Sequence, residues 1–162
     1  MRLEARPHLL ALDLGLRFGW ACYDGDAKLV AYGSHHCASR AKLKNIAWST
    51  LSKLPADSLL YIEGGGELLP VWTREAERRG VETYSLAAEL WRADCLLPRE
   101  QARGSVAKQR AQSLAKPLIT QRADRAPTSL RHDTAEATIL GWWALYQQEW
   151  ISPEQFRQGL GA

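Results

Sequence analysis

HLLALDLGLRFGWACYDGDAKLVAYG, residues 8–33, decides the fold. HLLALD (8–13) is a short, almost wholly apolar run that ends in an acid, the pattern of a strand buried on both faces. Gly15 and Gly19 bracket a turn, and FGWACYD (18–24) predicts a second strand. Asp24, Gly25 and Asp26 turn the chain into KLVAYG (28–33), a third. Two hairpins in succession make an antiparallel meander.

Beyond residue 33 the apolar period lengthens. Ser39 is placed to cap a helix reaching about Leu54, with Leu43, Ile46, Ala47, Leu51 and Leu54 at helical spacing. SLLYIE (58–63) is a second apolar run that ends in an acid, followed by Gly64, Gly65 and Gly66. A short helix over 70–79 is closed by Gly80, and VETYS (81–85) predicts a fifth strand. This alternation points to parallel strands joined by crossovers, an α/β fold. AAELWRADCL (87–96) has the composition of a short helix, and PREQARG (98–104) that of an exposed basic loop. A helix is expected from Ser105 to about Ile119, stopped or kinked by Pro117, with Lys108, Gln112 and Lys116 on one polar face. Residues 120–131 read as a loop. A final helix is expected from about Leu130 to Trp150, with an apolar stripe of Ile139, Trp142, Leu145 and Tyr146. No repeat or linker interrupts the chain, so residues 1–162 read as one domain.

Composition narrows the function classes. A content of 46% hydrophobic and 24% charged residues excludes intrinsic disorder. No apolar run is long enough to cross a membrane, and Asp13 interrupts the one N-terminal stretch that could act as a secretory signal. Cys22, Cys37 and Cys95 are scattered and form no CxxC pair, as for free thiols in a reducing, cytoplasmic compartment. The net charge of +3 conceals an uneven distribution: residues 99–131 hold eight Lys or Arg against Glu100 and Asp124. Arg99, Arg103, Lys108, Arg110 and Lys116 are the candidate contacts to a polyanion, by charge neutralisation of phosphates.

Four acids stand out by position. Asp13 and Glu63 end apolar strands, while Asp133 and Glu136 lie one turn apart on an otherwise apolar helix. Acids embedded in apolar runs need hydrogen bonds, a basic partner or a cation, because desolvating a carboxylate is strongly unfavourable. Hard, oxygen-seeking Mg²⁺ suits four carboxylates, and Mn²⁺ can substitute. A pair of such ions hydrolyses phosphodiesters. Read singly, each acid is equally well a turn residue, a strand end or a first-turn helix acid.

ALDLGLRFGWA with Asp13, YIEGG with Glu63, and HDTAEATIL with Asp133 and Glu136 resemble the three active-site segments of RuvC-like Holliday-junction resolvases, members of the RNase H-like superfamily. The likeness is to the compact branch often carried by phages. There a strand is followed by a tryptophan-containing segment, a lysine-bearing helix and an H-D-x-A-E-A helix. The counterparts here are VETYS with Trp91, the helix carrying Lys108, and His132 to Ala137. The resemblance implies a five-stranded mixed sheet with strands 1–3 antiparallel and helices on both faces. It implies Asp13 and Glu63 on adjacent strands, facing Asp133 and Glu136, with two Mg²⁺ ions and Lys108 near the scissile phosphate. The implied activity is endonucleolytic cutting of four-way or other branched DNA, in a bacterial cytoplasm or from a phage in such a host. Two features depart from the family. Glu136 stands where the cellular enzymes usually have Asp. Only about seventeen residues separate Glu63 from Val81, a region that elsewhere holds the helix of the homodimer interface, which leaves the dimer open.

Two other readings stand beside this one: a YqgF-type RNase H-like ribonuclease acting on structured RNA, and a branched-DNA-binding module without catalysis. Among lesser candidates, Trp72 either packs in the core or stacks on an unpaired base. Trp20, Trp142 and Trp143 are expected in the core. His132 is a loop residue or an assistant to its neighbour Asp133, and His35 and His36 are expected at the surface.

Overall fold

The structure is a computed structural model that describes residues 6–161. Residues 1–5, the start of the N-terminal stretch, lie outside the described region. Five strands, β1 (Leu9–Asp13), β2 (Arg17–Tyr23), β3 (Leu29–His36), β4 (Leu59–Glu63) and β5 (Glu82–Leu86), form one sheet in the order β3-β2-β1-β4-β5. β1–β2 and β2–β3 pair antiparallel, whereas β1–β4 and β4–β5 pair parallel. The mixed sheet and its meander are those expected from sequence.

Helices cover both faces. α1 (Arg40–Leu51) and α2 (Leu69–Arg78) lie on one; α5 (Gly104–Arg122), α6 (His132–Gln147) and α7 (Pro153–Gly159) lie on the other, beside α3 (Ala88–Cys95) and α4 (Pro98–Gln101). Side chains alternate across a strand. Leu10 and Leu12 therefore join the core under α1 and α2, while Leu9 and Ala11 join the core under α5 and α6. The near-continuous apolar run of β1 reflects this double coverage. By the same alternation Asp13 and Glu63 share the α6 face.

α6 is buried from Thr134 to Leu145. It reaches the sheet at two glycines. A Cβ on Gly19 would lie 1.9 Å from the Asp133 carbonyl oxygen, and one on Gly141 would lie 2.6 Å from the Tyr23 ring. Tyr23 then donates its hydroxyl to the Thr138 carbonyl at 2.8 Å. Missing side chains at both points let the backbone and the sheet touch.

Several local expectations are corrected. PREQARG is not wholly a loop: Pro98 starts α4, and the Leu97 N–H is capped by the Glu100 carboxylate at 2.8 Å. α5 passes through Pro117 to Arg122, shortening the expected loop. The proline is exposed, and the residues after it, Leu118 and Ile119, are fully buried, so packing outweighs one lost N–H bond. The final expected helix ends early, at Gln147, and beyond it, where no element was expected, the chain forms α7, capped by Ser152 and Gln155, which buries Phe156. Trp72 is fully buried, edge-on to Phe18 with centroids 5.6 Å apart, so of its two readings the core one holds. Trp142 and Trp143 are likewise core, while Trp20 is half-buried against Gly33. Ser39 does cap α1, accepting from the Lys42 N–H at 3.2 Å. No helix among the described residues is long and apolar enough to cross a membrane, and Cys22, Cys37 and Cys95 are all free.

Gly19→Ala is expected to lower stability by about 2–3 kcal/mol, because the new methyl group forces the start of α6 off the sheet. Urea unfolding monitored by circular dichroism measures this; an unchanged midpoint would contradict the close approach.

Candidate active site

One row of residues crosses the sheet. Ser34 on β3 is the register partner of Gly19, Gly19 of Asp13, and Asp13 of Glu63. The first turn of α6 stands directly on this row at Gly19. Asp13 and Glu63 therefore sit side by side at the ends of two parallel strands, with Asp133 and Glu136 above them. All four expected carboxylates line one open cleft of about 640 Å³, together with Arg17, Arg92, Lys108, Arg131 and His132.

Glu63, Glu136 and Asp133 are each held by a partner from outside the acidic cluster. The buried Trp91 indole donates to Glu63 Oε2 at 2.6 Å. Arg92, the next residue of α3, donates to Glu136 Oε1 at 2.7 Å and crosses the Trp91 ring 5.4 Å from its centroid. Asp133 accepts from Ser34 Oγ at 2.6 Å and from the Thr134 N–H at 2.8 Å, and Arg131 stands 3.7 Å away. The Gln112 side chain ties the Leu130 carbonyl to α5 at 2.6 Å, holding the approach to α6 over the cleft.

Asp13 carries the electrostatic burden. Burial first, and then the charges of Glu63 and Glu136, push its carboxyl from the usual acidic range up to about 9. Burial likewise raises Glu63, against the opposing hydrogen bond from Trp91. A group of this kind at neutral pH either keeps a proton or receives a cation.

The donors suit a hard divalent ion: all are carboxylate oxygens, and the repulsion from Glu63 and Glu136 that adds to burial in raising Asp13 is what a dication relieves. Among the described residues no three His, Cys, Asp or Glu side chains are already drawn into a cage. Trp91, Arg92 and Ser34 occupy oxygens of Glu63, Glu136 and Asp133.

Sequence reasoning located the four acids and Lys108 and counted Arg131 within the basic segment without singling it out, but overlooked Arg17, Arg92 and Ser34. Ser34 and Arg92 act through contacts 99 and 44 residues away in the chain, which no local pattern reveals. Arg17 and Arg131 flank the acidic segments, and that adjacency was a usable signal. Of the five basic residues singled out, only Lys108 lines the cleft. Arg99 and Arg103 are exposed around α4, Lys116 is exposed further along α5, and Arg110 is paired with Glu100 at 3.0 Å. His132 does line the cleft, and His35 and His36 are exposed.

No protein-family model matches the chain, and no curated protein matches its sequence. Solved structures do. T. thermophilus RuvC in complex with a Holliday junction substrate superposes with a TM-score of 0.57 at 10% identity, over 84% of this chain and 91% of that one. The large terminase nuclease from thermophilic phage G20c with bound zinc superposes with a TM-score of 0.50 at 12% identity, over 87% and 85% of the two chains. At such identities the likeness is one of fold. The chain has the RNase H-like fold, with the five-stranded mixed sheet and flanking helices that it shares with RuvC.

A carboxyl raised in the fold above its unfolded value stabilises the protein fully below the unfolded pKa and progressively less as pH rises towards the folded one. In chelator, the melting temperature should therefore fall between about pH 4 and pH 9 as Asp13 is forced to ionise. Asp13→Asn should melt several degrees higher at pH 8 and show a flatter pH profile. Calorimetry across that range checks both expectations; a variant less stable than the parent would contradict the repulsion.

Proposed function

We propose that the protein is a metal-dependent, structure-selective endodeoxyribonuclease that cleaves four-way junctions or other branched DNA by phosphodiester hydrolysis. The observation that carries this reading is the convergence of four carboxylates from β1, β4 and α6 in one cleft walled by Arg17, Lys108 and Arg131. A cleft with an acidic floor and basic walls is built for a phosphate that arrives with a cation.

Asp13, Glu63, Asp133 and Glu136 would hold two Mg²⁺ ions, or Mn²⁺ in their place. Bound there, the ions supply Lewis-acid polarisation of the phosphodiester and activation of a water. The remaining work belongs to the chain. With an ion bound, Asp13 would be held as the carboxylate, because a positive charge beside it offsets the burial and the repulsion from Glu63 and Glu136 that together raise its pKa. Trp91 aims Glu63, and Ser34 with the Thr134 N–H aims Asp133. Lys108 neutralises a non-bridging phosphate oxygen, with Arg17 and Arg131 on neighbouring phosphates. Arg99, Arg103, Arg110 and Lys116 continue the positive surface along α4 and α5 for the rest of the substrate. Symmetrical cutting of a four-way junction needs two clefts, which is the ground for a homodimer.

The test is cleavage of a labelled panel in Mg²⁺: four-way junction, flap, plain duplex and structured RNA. The junction should be cut in preference, and Asp13→Asn should lose at least about 1,000-fold in rate while still binding it. Full cleavage by that variant would overturn the assignment, and a preference for RNA would favour the YqgF-type reading.

A further inference from the structure

On the sheet face opposite the cleft, α1 and α2 lie side by side with a groove of about 380 Å³ between them. Arg40, Lys44 and Trp48 form one wall, four residues apart and so one above another at steps of about 6 Å. Arg74 and Arg78 of α2 form the other. α1 contains no acid. The groove's own acid, Glu75, is buried and already engaged by Arg79 at 2.7 Å and by Arg78 at 3.3 Å, so it offers little free negative charge. Trp48 is 56% exposed, and the Arg79 guanidinium lies 5.6 Å from its ring centroid.

We propose that this groove binds single-stranded DNA, with phosphates along the two cationic ridges and an unpaired base stacked on Trp48. Charge complementarity selects a polyanion, and an exposed indole in a basic groove is the arrangement that accepts the face of any base. A second copy of the chain would bring like charge against like charge. An anionic lipid surface calls for a convex apolar face, whereas the apolar residues of α1, Leu43, Ala47 and Leu51, are buried against the sheet. The choice of DNA over RNA rests on the endonuclease reading; the groove itself asks only for a polyanion with an unpaired base.

The test is fluorescence-anisotropy titration of the full chain with a labelled 12-nucleotide oligo-dT, in chelator, over a range of salt. The Lys44→Gln/Arg74→Gln double variant should bind about tenfold more weakly. Its log–log salt slope should be shallower by about 1.4, the share of two phosphate contacts on a single strand. Trp48→Ala should weaken binding at least about fivefold, whereas Trp48→Phe should stay within about twofold of the parent but lose the oligonucleotide-dependent tryptophan quenching. All these side chains are exposed, and an unchanged circular dichroism spectrum verifies the fold. Unchanged affinity and slope in these variants would overturn the proposal. So would tighter binding of duplex, of oligo-rU or of phosphatidylserine vesicles through the same residues. Because chelator removes cleavage from the measurement, a protein that binds here yet cuts no junction refutes only the nuclease reading. One that cuts but ignores these substitutions refutes only the groove.

Discussion

The absence of a side chain at Gly19 is the constraint on which the rest depends. It lets the first turn of α6 rest on the sheet at the point where β1 and β4 end in acids. Any side chain there would separate the helix-borne pair, Asp133 and Glu136, from the strand-borne pair, Asp13 and Glu63. Gly141 repeats the device further along the helix, against Tyr23 and Ala11. Two close approaches fix the position of the helix along the sheet as well as its distance, and the Tyr23–Thr138 hydrogen bond secures it. Core and cleft are thus products of one packing decision.

Concentrating acids in this way works against stability. The fold tolerates it by giving each carboxylate but Asp13 a donor from outside the acidic cluster: an indole, a guanidinium, or a hydroxyl with a backbone N–H. Buried charge needs satisfied geometry, and these partners provide it while orienting the oxygens. Asp13, buried and left with its acidic neighbours, carries the remaining cost as a raised pKa. Stability given up at one residue for chemical potential is a common arrangement in functional sites.

Much of this was legible in the residues. Apolar runs ending in Asp13 and Glu63 marked two strand ends, since few positions in a buried strand accept an acid without a reason, and the resemblance to RuvC-like proteins implied that the two strands are neighbours. The i, i+3 spacing of Asp133 and Glu136 placed both on one helix face. Illegible were the features that depend on where distant elements meet. Pro117 signals a helix end by its own chemistry, yet Leu118 and Ile119 are worth more buried than one hydrogen bond lost. Ser152, Pro153 and Gln155 do spell a helix start, a local capping signal beyond Trp150 that was legible and went unread. Trp91 drew notice only through the family resemblance, but its indole N–H matters through Glu63, 28 residues away. The basic segment 99–131 was visible as charge, while its division between the cleft wall and the outer surface emerged only from the course of α5.

The Arg92–Glu136 pair has a consequence for how the cleft fills. A guanidinium 2.7 Å from one of the four carboxylates means that Glu136 already has a counter-ion, an organic one tethered to α3. Were the divalent ion proposed above to claim this oxygen, it would displace a resident, and loading would be an exchange of cations. Such an exchange would lower apparent affinity by the cost of displacing the arginine, setting a concentration threshold below which the cleft keeps its own counter-ion. The displaced guanidinium would then add a positive charge to the cleft lining. On the proposed function, a single ion pair would in this way delay filling and, once displaced, strengthen the attraction for a phosphate.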